Sequence, residues 1–164
     1  MDIAFFIVRL IVGSALAAHG AQKLFGWFGG PGLRATAGPF ENLGFRPGIV
    51  FAWMAGLGET VGGLLTILGL GGALGPAIIV LVMIVAADAV HISKGFFISN
   101  GGWELNAAYV AGALAIAFGG NGAYSLDNAL HLTFLTQPEQ VWLALAAAAI
   151  VALLNLLARR PVKA

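Results

Sequence analysis

The sequence predicts an all-α fold: a polytopic membrane helix bundle, with a four-helix core and a fifth, C-terminal transmembrane helix. Three observations carry that expectation. Of the 164 residues, 60% are hydrophobic and only 9% are charged, against about 25% charged in a typical soluble domain. The apolar residues gather into five runs, each near the ~20 residues that a helix needs to cross a bilayer. No run alternates apolar with polar residues, so helices rather than barrel strands must satisfy the backbone in lipid. The length suits a single membrane domain, with the core over about 3–130.

The first span is expected at about 3–26. It opens Met-Asp with no basic n-region and is interrupted by Arg9, which argues against a cleaved signal despite the SALAA stretch. The second is expected at about 48–70 and the third at about 74–95. Pro76 comes early in the third, where its missing N–H does no harm. The fourth, about 104–120, is the shortest, and the fifth covers about 140–158. The 27–47 link, WFGGPGLRATAGPFENLGFRP, reads as a surface loop with a short amphipathic turn, and 96–103 has the same character on the same side. In the 121–139 link, Ser125 or Asp127 can cap a short helix over Asn128 to Leu132. Trp27, Trp53, Trp103 and Trp142 suit anchoring at the interfaces.

Five spans put the N-terminus and the 71–73 and 121–139 links on one side, which carries Asp2, Asp127 and Glu139 and no Lys or Arg. Lys23, Arg34, Arg46, Lys94, Arg159, Arg160 and Lys163 fall on the other. That asymmetry predicts an N-terminus outside and a C-terminus in the cytoplasm, in a bacterial cytoplasmic membrane. The 24 glycines fit close helix packing in lipid. The absence of cysteine excludes thiol–disulfide exchange and iron–sulfur clusters held by this chain. No metal site and no nucleic-acid partner are expected.

The stretch LAAHGAQKLFGWFG, residues 16–29, places a histidine, a glutamine and a lysine at the end of the first span. At about 100° per residue, Arg9, Leu16, His19, Gly20 and Lys23 share one arc and Gln22 points away. Glu59 falls near the middle of the second span, with Gly56, Gly63 and Thr66 on its face for a close neighbour. Gly58 and Gly62 form a GxxxG on an adjoining face. Asp88 and His91 share a side of the third span, and Glu104 and Asn106 open the fourth. Charges at such depth are costly unless paired, and an Arg reaches ~6 Å, so Arg9 with Glu59 is the expected structural ion pair. The remainder form a polar seam, His19, Lys23, Glu59, His91 and Glu104, opening inward. Taken singly, Lys23 and Lys94 read first as snorkelling anchors, and a lone histidine reads as a hydrogen-bonded one. Two histidines at matched depth beside two carboxylates favour a cofactor site as much as a packing network.

An Arg in the first helix is followed by HGAQKLFGWFGG, GLGETVGGLLTILGL, AADAVHISKGFF, GGWELN and GNGAYSLD, in that order. This set resembles the DoxX family of small bacterial membrane proteins, over about residues 5–130. The resemblance implies a four-helix membrane core associated with redox enzymes. Some relatives look like the small subunit of thiosulfate:quinone oxidoreductase, and others are tied to detoxification. By motif it carries over Arg9, His19, Gln22, Lys23, Glu59, His91 and Glu104 as positions of interest. The fifth helix departs from the family's four-helix form and suits oligomerisation or docking.

The leading expectation is a quinone-interacting or membrane-anchoring subunit of an oxidoreductase system, itself a homo-oligomer. Histidine, glutamate and lysine beside an apolar slot supply hydrogen bonds and a proton relay. The alternative is a non-catalytic assembly, docking or receptor-like protein. Further back stand haem held between His19 and His91, and small-solute transport, which the lack of an inverted repeat disfavours.

Overall fold

The computed structural model describes residues 2–160, so Lys163 lies outside the described residues. Its helices are α1 (Asp2–Phe25), α2 (Gly32–Asn42), α3 (Gly48–Leu68), α4 (Leu74–Ala86), α5 (Glu104–Gly119), α6 (Leu126–Ala129) and α7 (Pro138–Leu157). α4 continues through a π turn, Ala87–His91, and a 3-10 turn, Ile92–Lys94. Four helices are long and apolar enough to cross a membrane: α1, α3, Leu74–Lys94 and α7. α5 is the short one, 16 residues, or about 24 Å at 1.5 Å per residue.

Helix ends follow local chemistry. α1 carries Asp2 in its first turn and Lys23 in its last, each favourable to the helix dipole. α3 stops at Gly69, which takes φ 60° and donates its N–H back to the Leu65 and Thr66 carbonyls. Ser125 caps α6 by accepting from Asn128 N–H at 3.2 Å. The short helix therefore begins two residues earlier than expected. Asp127 is no cap; it has other partners, described below.

The 27–47 link is more ordered than a surface loop. Eleven of its residues form α2, whose buried Thr36 donates to the Gly32 carbonyl at 2.8 Å. Glu41 near its end accepts from Gly48 N–H at 3.1 Å and so pins α2 to the start of α3. The Gly and Pro content of this stretch suggested breaks, but packing against α3 outweighs weak propensity.

α1 and α3 pack antiparallel with almost no side chain between them. A Cβ at Gly63 would lie 2.6 Å from the Gly13 carbonyl oxygen, and one at Gly20 would lie 2.6 Å from that of Gly56. Only hydrogen at these positions permits such an approach. Gly58 and Gly62 turn to α4 instead, meeting Val82 and Ile78. α5 and α7 pack on the other flank of α4, around a core that includes Val12, Leu16, Ile79, Val80, Met83, Ala113, Leu145 and Ala148. Outward residues such as Ile11, Leu143 and Leu157 are 62%, 69% and 70% exposed. Large apolar side chains so exposed around the whole bundle mark a lipid-facing surface.

The far end of α7 is stitched across the bundle. Arg159 Nε donates to the Leu43 carbonyl at 3.0 Å, Arg160 N–H to that of Gly44 at 2.8 Å. The Arg159 guanidinium also lies 5.5 Å from the Phe45 ring centre. Lys23, Arg34, Arg46, Lys94, Arg159 and Arg160 thus share one end of the bundle, here called the basic end.

Candidate functional site

The polar residues of the bundle form two separate clusters, one toward each end. Arg9 belongs to the cluster far from the basic end. It is fully buried, donates from Nη2 to the Tyr124 carbonyl, and lies against Gly69. Its Nε and Nη1, and the hydroxyl of Thr66, have no partner among the described residues. Asp127 is the acidic group whose charge reaches Arg9. The Asp127 carboxylate accepts from Gly71 N–H at 2.8 Å, Gly72 N–H at 2.7 Å and Asn121 Nδ2 at 2.7 Å. This cluster ties α1, the α3–α4 turn and the 121–127 segment together.

The expected Arg9–Glu59 pair does not form. The glycine contacts fix the register of α1 on α3 and set Glu59 about level with His19. That is ten residues, or about 15 Å, along α1 from Arg9 at 1.5 Å per residue, more than twice the reach of the side chain. Glu59 pairs instead with Lys23, whose Nζ lies 2.6 and 2.8 Å from its two oxygens. The pair is lopsided in burial, with the Lys23 side chain 27% exposed and that of Glu59 6%.

This pair reaches into a cavity of about 750 Å³ toward the basic end. α1 contributes His19, Gln22 and Lys23, α2 contributes Thr36 and Phe40, and α3 contributes Gly58 and Glu59. α4 supplies Val82, Ala86 and His91, α5 supplies Asn106 and Tyr109, and α7 supplies Asn155. Most of the wall is apolar. The cavity exists because α3 and α4 meet closely at Gly58 and Gly62 and face each other across open space beyond, at Ala55 and Ala86.

Four of the seam residues therefore share one space: His19, Lys23, Glu59 and His91. His19 is exposed and close enough to act on Glu59 electrostatically. His91 Nδ1 lies 2.7 Å from the Gly101 carbonyl oxygen. A carbonyl only accepts, so Nδ1 carries the proton and Nε2 is left as an acceptor. Glu104 is not part of the cavity lining. Its carboxylate accepts from Ile98 N–H at 2.9 Å and closes the 96–103 turn. Gln22 does line the cavity, against the expectation that it points away, and donates to the Phe28 carbonyl at 3.3 Å. Asp88 and His91 part company because the π turn between them adds a residue to the helical repeat. Asp88 meets Arg159 at 3.2 Å, on the α7 side.

Two cavity residues escaped the sequence reading of the site. Asn106 is buried, with its Nδ2 3.6 Å from the Met83 sulfur. Tyr109 is one turn further along α5 and lines the cavity, and its hydroxyl makes no hydrogen bond within the described residues. The available signal was the pair itself: two polar side chains spaced i, i+3 in an otherwise apolar helix. Reading 27–47 as a loop and the fifth helix as one for oligomerisation or docking leaves Thr36 and Asn155 out of the site.

A cavity of this size lies within the ~300–1,000 Å³ typical of small-molecule sites. An apolar wall with a few convergent polar groups is the usual lining of such a site. Among the described residues, no cluster of His, Asp and Glu could hold a metal ion.

The DoxX family model matches residues 4–92, which is α1 through the π turn of α4. The matched stretch contains Arg9, His19, Lys23, Glu59 and His91, and stops short of α5, α6 and α7. Neither the curated proteins nor the solved structures include a match to this chain. With more than half of its length matched, the chain belongs to the DoxX family.

Proposed function

We propose that this protein is a quinone-binding membrane subunit of an oxidoreductase system, lying in the bacterial cytoplasmic membrane with its N-terminus outside. The observation that carries the reading is the Lys23–Glu59 pair projecting into an apolar cavity of about 750 Å³. A quinone, when bound, accepts two electrons and two protons. Lys23 Nζ would place a positive charge beside a quinone head group held in the cavity, where reduction develops negative charge. Glu59 and His91 Nε2 are the groups at the cavity wall that can take up protons and pass them on. His19 is exposed and close enough to act on Glu59 electrostatically, so it is the neighbour through which protons can reach the pair. With no cysteine in the chain, the electrons come from a partner enzyme docked on the basic end.

The test is organic extraction of the protein purified in mild detergent, followed by chromatography for quinones, with added decylubiquinone as a second probe. The expected result is quinone in the extract, or saturable uptake of the probe, and loss of both in the Lys23→Met/Glu59→Leu variant. No quinone and no uptake would sink the reading. A Soret band in the purified protein would favour haem instead. Co-purification of a soluble oxidoreductase that tolerates substitution of both His19 and His91 would favour a docking role. Sidedness is read separately: the chain has no cysteine, so single cysteines at exposed Ser99 and Thr133 are labelled selectively. An impermeant maleimide added to intact cells stripped of their outer membrane is expected to label the Thr133 position only.

A further inference from the structure

We infer that Asn106 and Tyr109 of α5 form a carbonyl-recognising edge of the cavity, and that its ligand is a neutral amphiphile with a hydrogen-bond-accepting ring oxygen. This rests on the proposal that the cavity is a ligand site, and it goes further by assigning the recognition to α5. Asn106 is 7% exposed, yet the partner of its amide is the Met83 thioether at 3.6 Å. Sulfur of this kind is a weak acceptor, and buried amides are ordinarily satisfied by stronger partners. Tyr109 presents a second polar group on the same helix face, one turn away, and lines the same cavity. Its hydroxyl has no partner among the described residues.

The rest of the site is satisfied differently. Lys23 and Glu59 already hold each other at 2.6 Å, and His91 holds Gly101 at 2.7 Å. Besides the two histidines, Asn106 and Tyr109 are cavity groups with hydrogen bonds still to make. Both are neutral, so this wall offers donors without charge, which suits a carbonyl better than a phosphate or carboxylate. Apolar neighbours such as Val82, Met83 and Ala86 suit the ring and tail. Both residues lie beyond the matched stretch 4–92, so head-group preference in this chain rests on α5.

The test compares decylubiquinone with its reduced, dimethyl-ether form, which keeps the ring and tail and loses both carbonyls. Binding of each is titrated in detergent to the wild type, Asn106→Leu and Tyr109→Phe, with helix content and melting recorded for all three. Tyr109→Phe removes a single oxygen and keeps the ring. The expected result is a wild-type preference for the quinone that falls about threefold to tenfold in each variant, the effect of one hydrogen bond, with affinity for the ether unchanged. In infrared difference spectra of the bound quinone, the carbonyl band shifted by the wild type is expected to move back toward its free position in the variants. An unchanged preference and an unchanged band in Tyr109→Phe would overturn the assignment while leaving quinone binding intact. A wild type that binds neither probe would overturn both this inference and the quinone reading.

Discussion

Arg9 and Lys23 are two cations on one helix, and the bundle treats them in opposite ways. Arg9 is sealed in, fully buried against a glycine turn and a backbone carbonyl, with Asp127 nearby. Lys23 is partly open, and the carboxylate it pairs with lines a cavity. The difference comes from packing on each side. α3 presses glycine to glycine against α1 over Gly13–Gly20. Toward the basic end α3 and α4 line a cavity together with α1, α2, α5 and α7. The closed cluster is a brace for three segments of chain. The open one has room for a ligand.

That contrast can be broken by experiment. The largest effect is expected at the brace. Asp127→Ala removes the acceptor of two backbone N–H groups and the Asn121 amide, a loss of about 3–5 kcal/mol in stability. Thermal unfolding in detergent measures it, and a melting temperature within 2–3 °C of the wild type (roughly the spread between preparations) would show that the cluster braces nothing.

Next comes the open pair. Lys23→Met leaves Glu59 buried without its cation, and about 2–3 kcal/mol is expected, less than for a fully enclosed pair because Lys23 is 27% exposed. The Lys23→Met/Glu59→Leu variant sharpens the point. Replacing both charges by apolar groups is often neutral for stability, so this variant is expected to melt near the wild type and still fail to bind quinone. A double variant that binds normally would reduce the pair to a packing element.

His91→Ala is expected to act on binding more than on folding. It removes one cavity hydrogen bond, about threefold to tenfold in quinone affinity, and leaves melting nearly unchanged because His91 bonds only a loop carbonyl. The smallest effect belongs to Asp88→Asn. The Asp88–Arg159 pair is exposed, at 49% and 33%, so the change is at most about 1 kcal/mol in melting. It is expected to vanish near 1 M salt, where screening is nearly complete.

The sequence made the bundle legible because hydropathy and length are one-dimensional signals. α1, α3, α4 with its turns, and α7 lie within a few residues of their expected places. The sidedness of the basic residues came from the same count. Partners were harder, because a helical wheel gives azimuth and leaves relative height to the neighbour. Glu59 suits either Arg9 or Lys23 in azimuth, and only the glycine contacts of α1 with α3 fix which is level with it. His19, Lys23, Glu59 and His91 were still placed in one group, and they do line one cavity. Glu104 looked equivalent by depth, but the 96–103 turn offers it Ile98 N–H. α2 was obscured by its glycines and prolines, and its contribution to the cavity, Thr36 and Phe40, went unseen with it.

The π turn at Ala87–His91 has a consequence for insertions and deletions. A π turn is an α-helix carrying one residue more than its ladder needs. Deleting any one of Ala87, Asp88, Ala89 and Val90 would let the ladder close in α form and rotate everything after it by about 100°. The helix would look undisturbed by circular dichroism, and the residues up to Ala86 would keep their places. His91 would swing off Gly101 and out of line with Lys23 and Glu59. A deletion variant with full helix content and no quinone uptake would carry that signature. In this segment, length in codons sets direction in space.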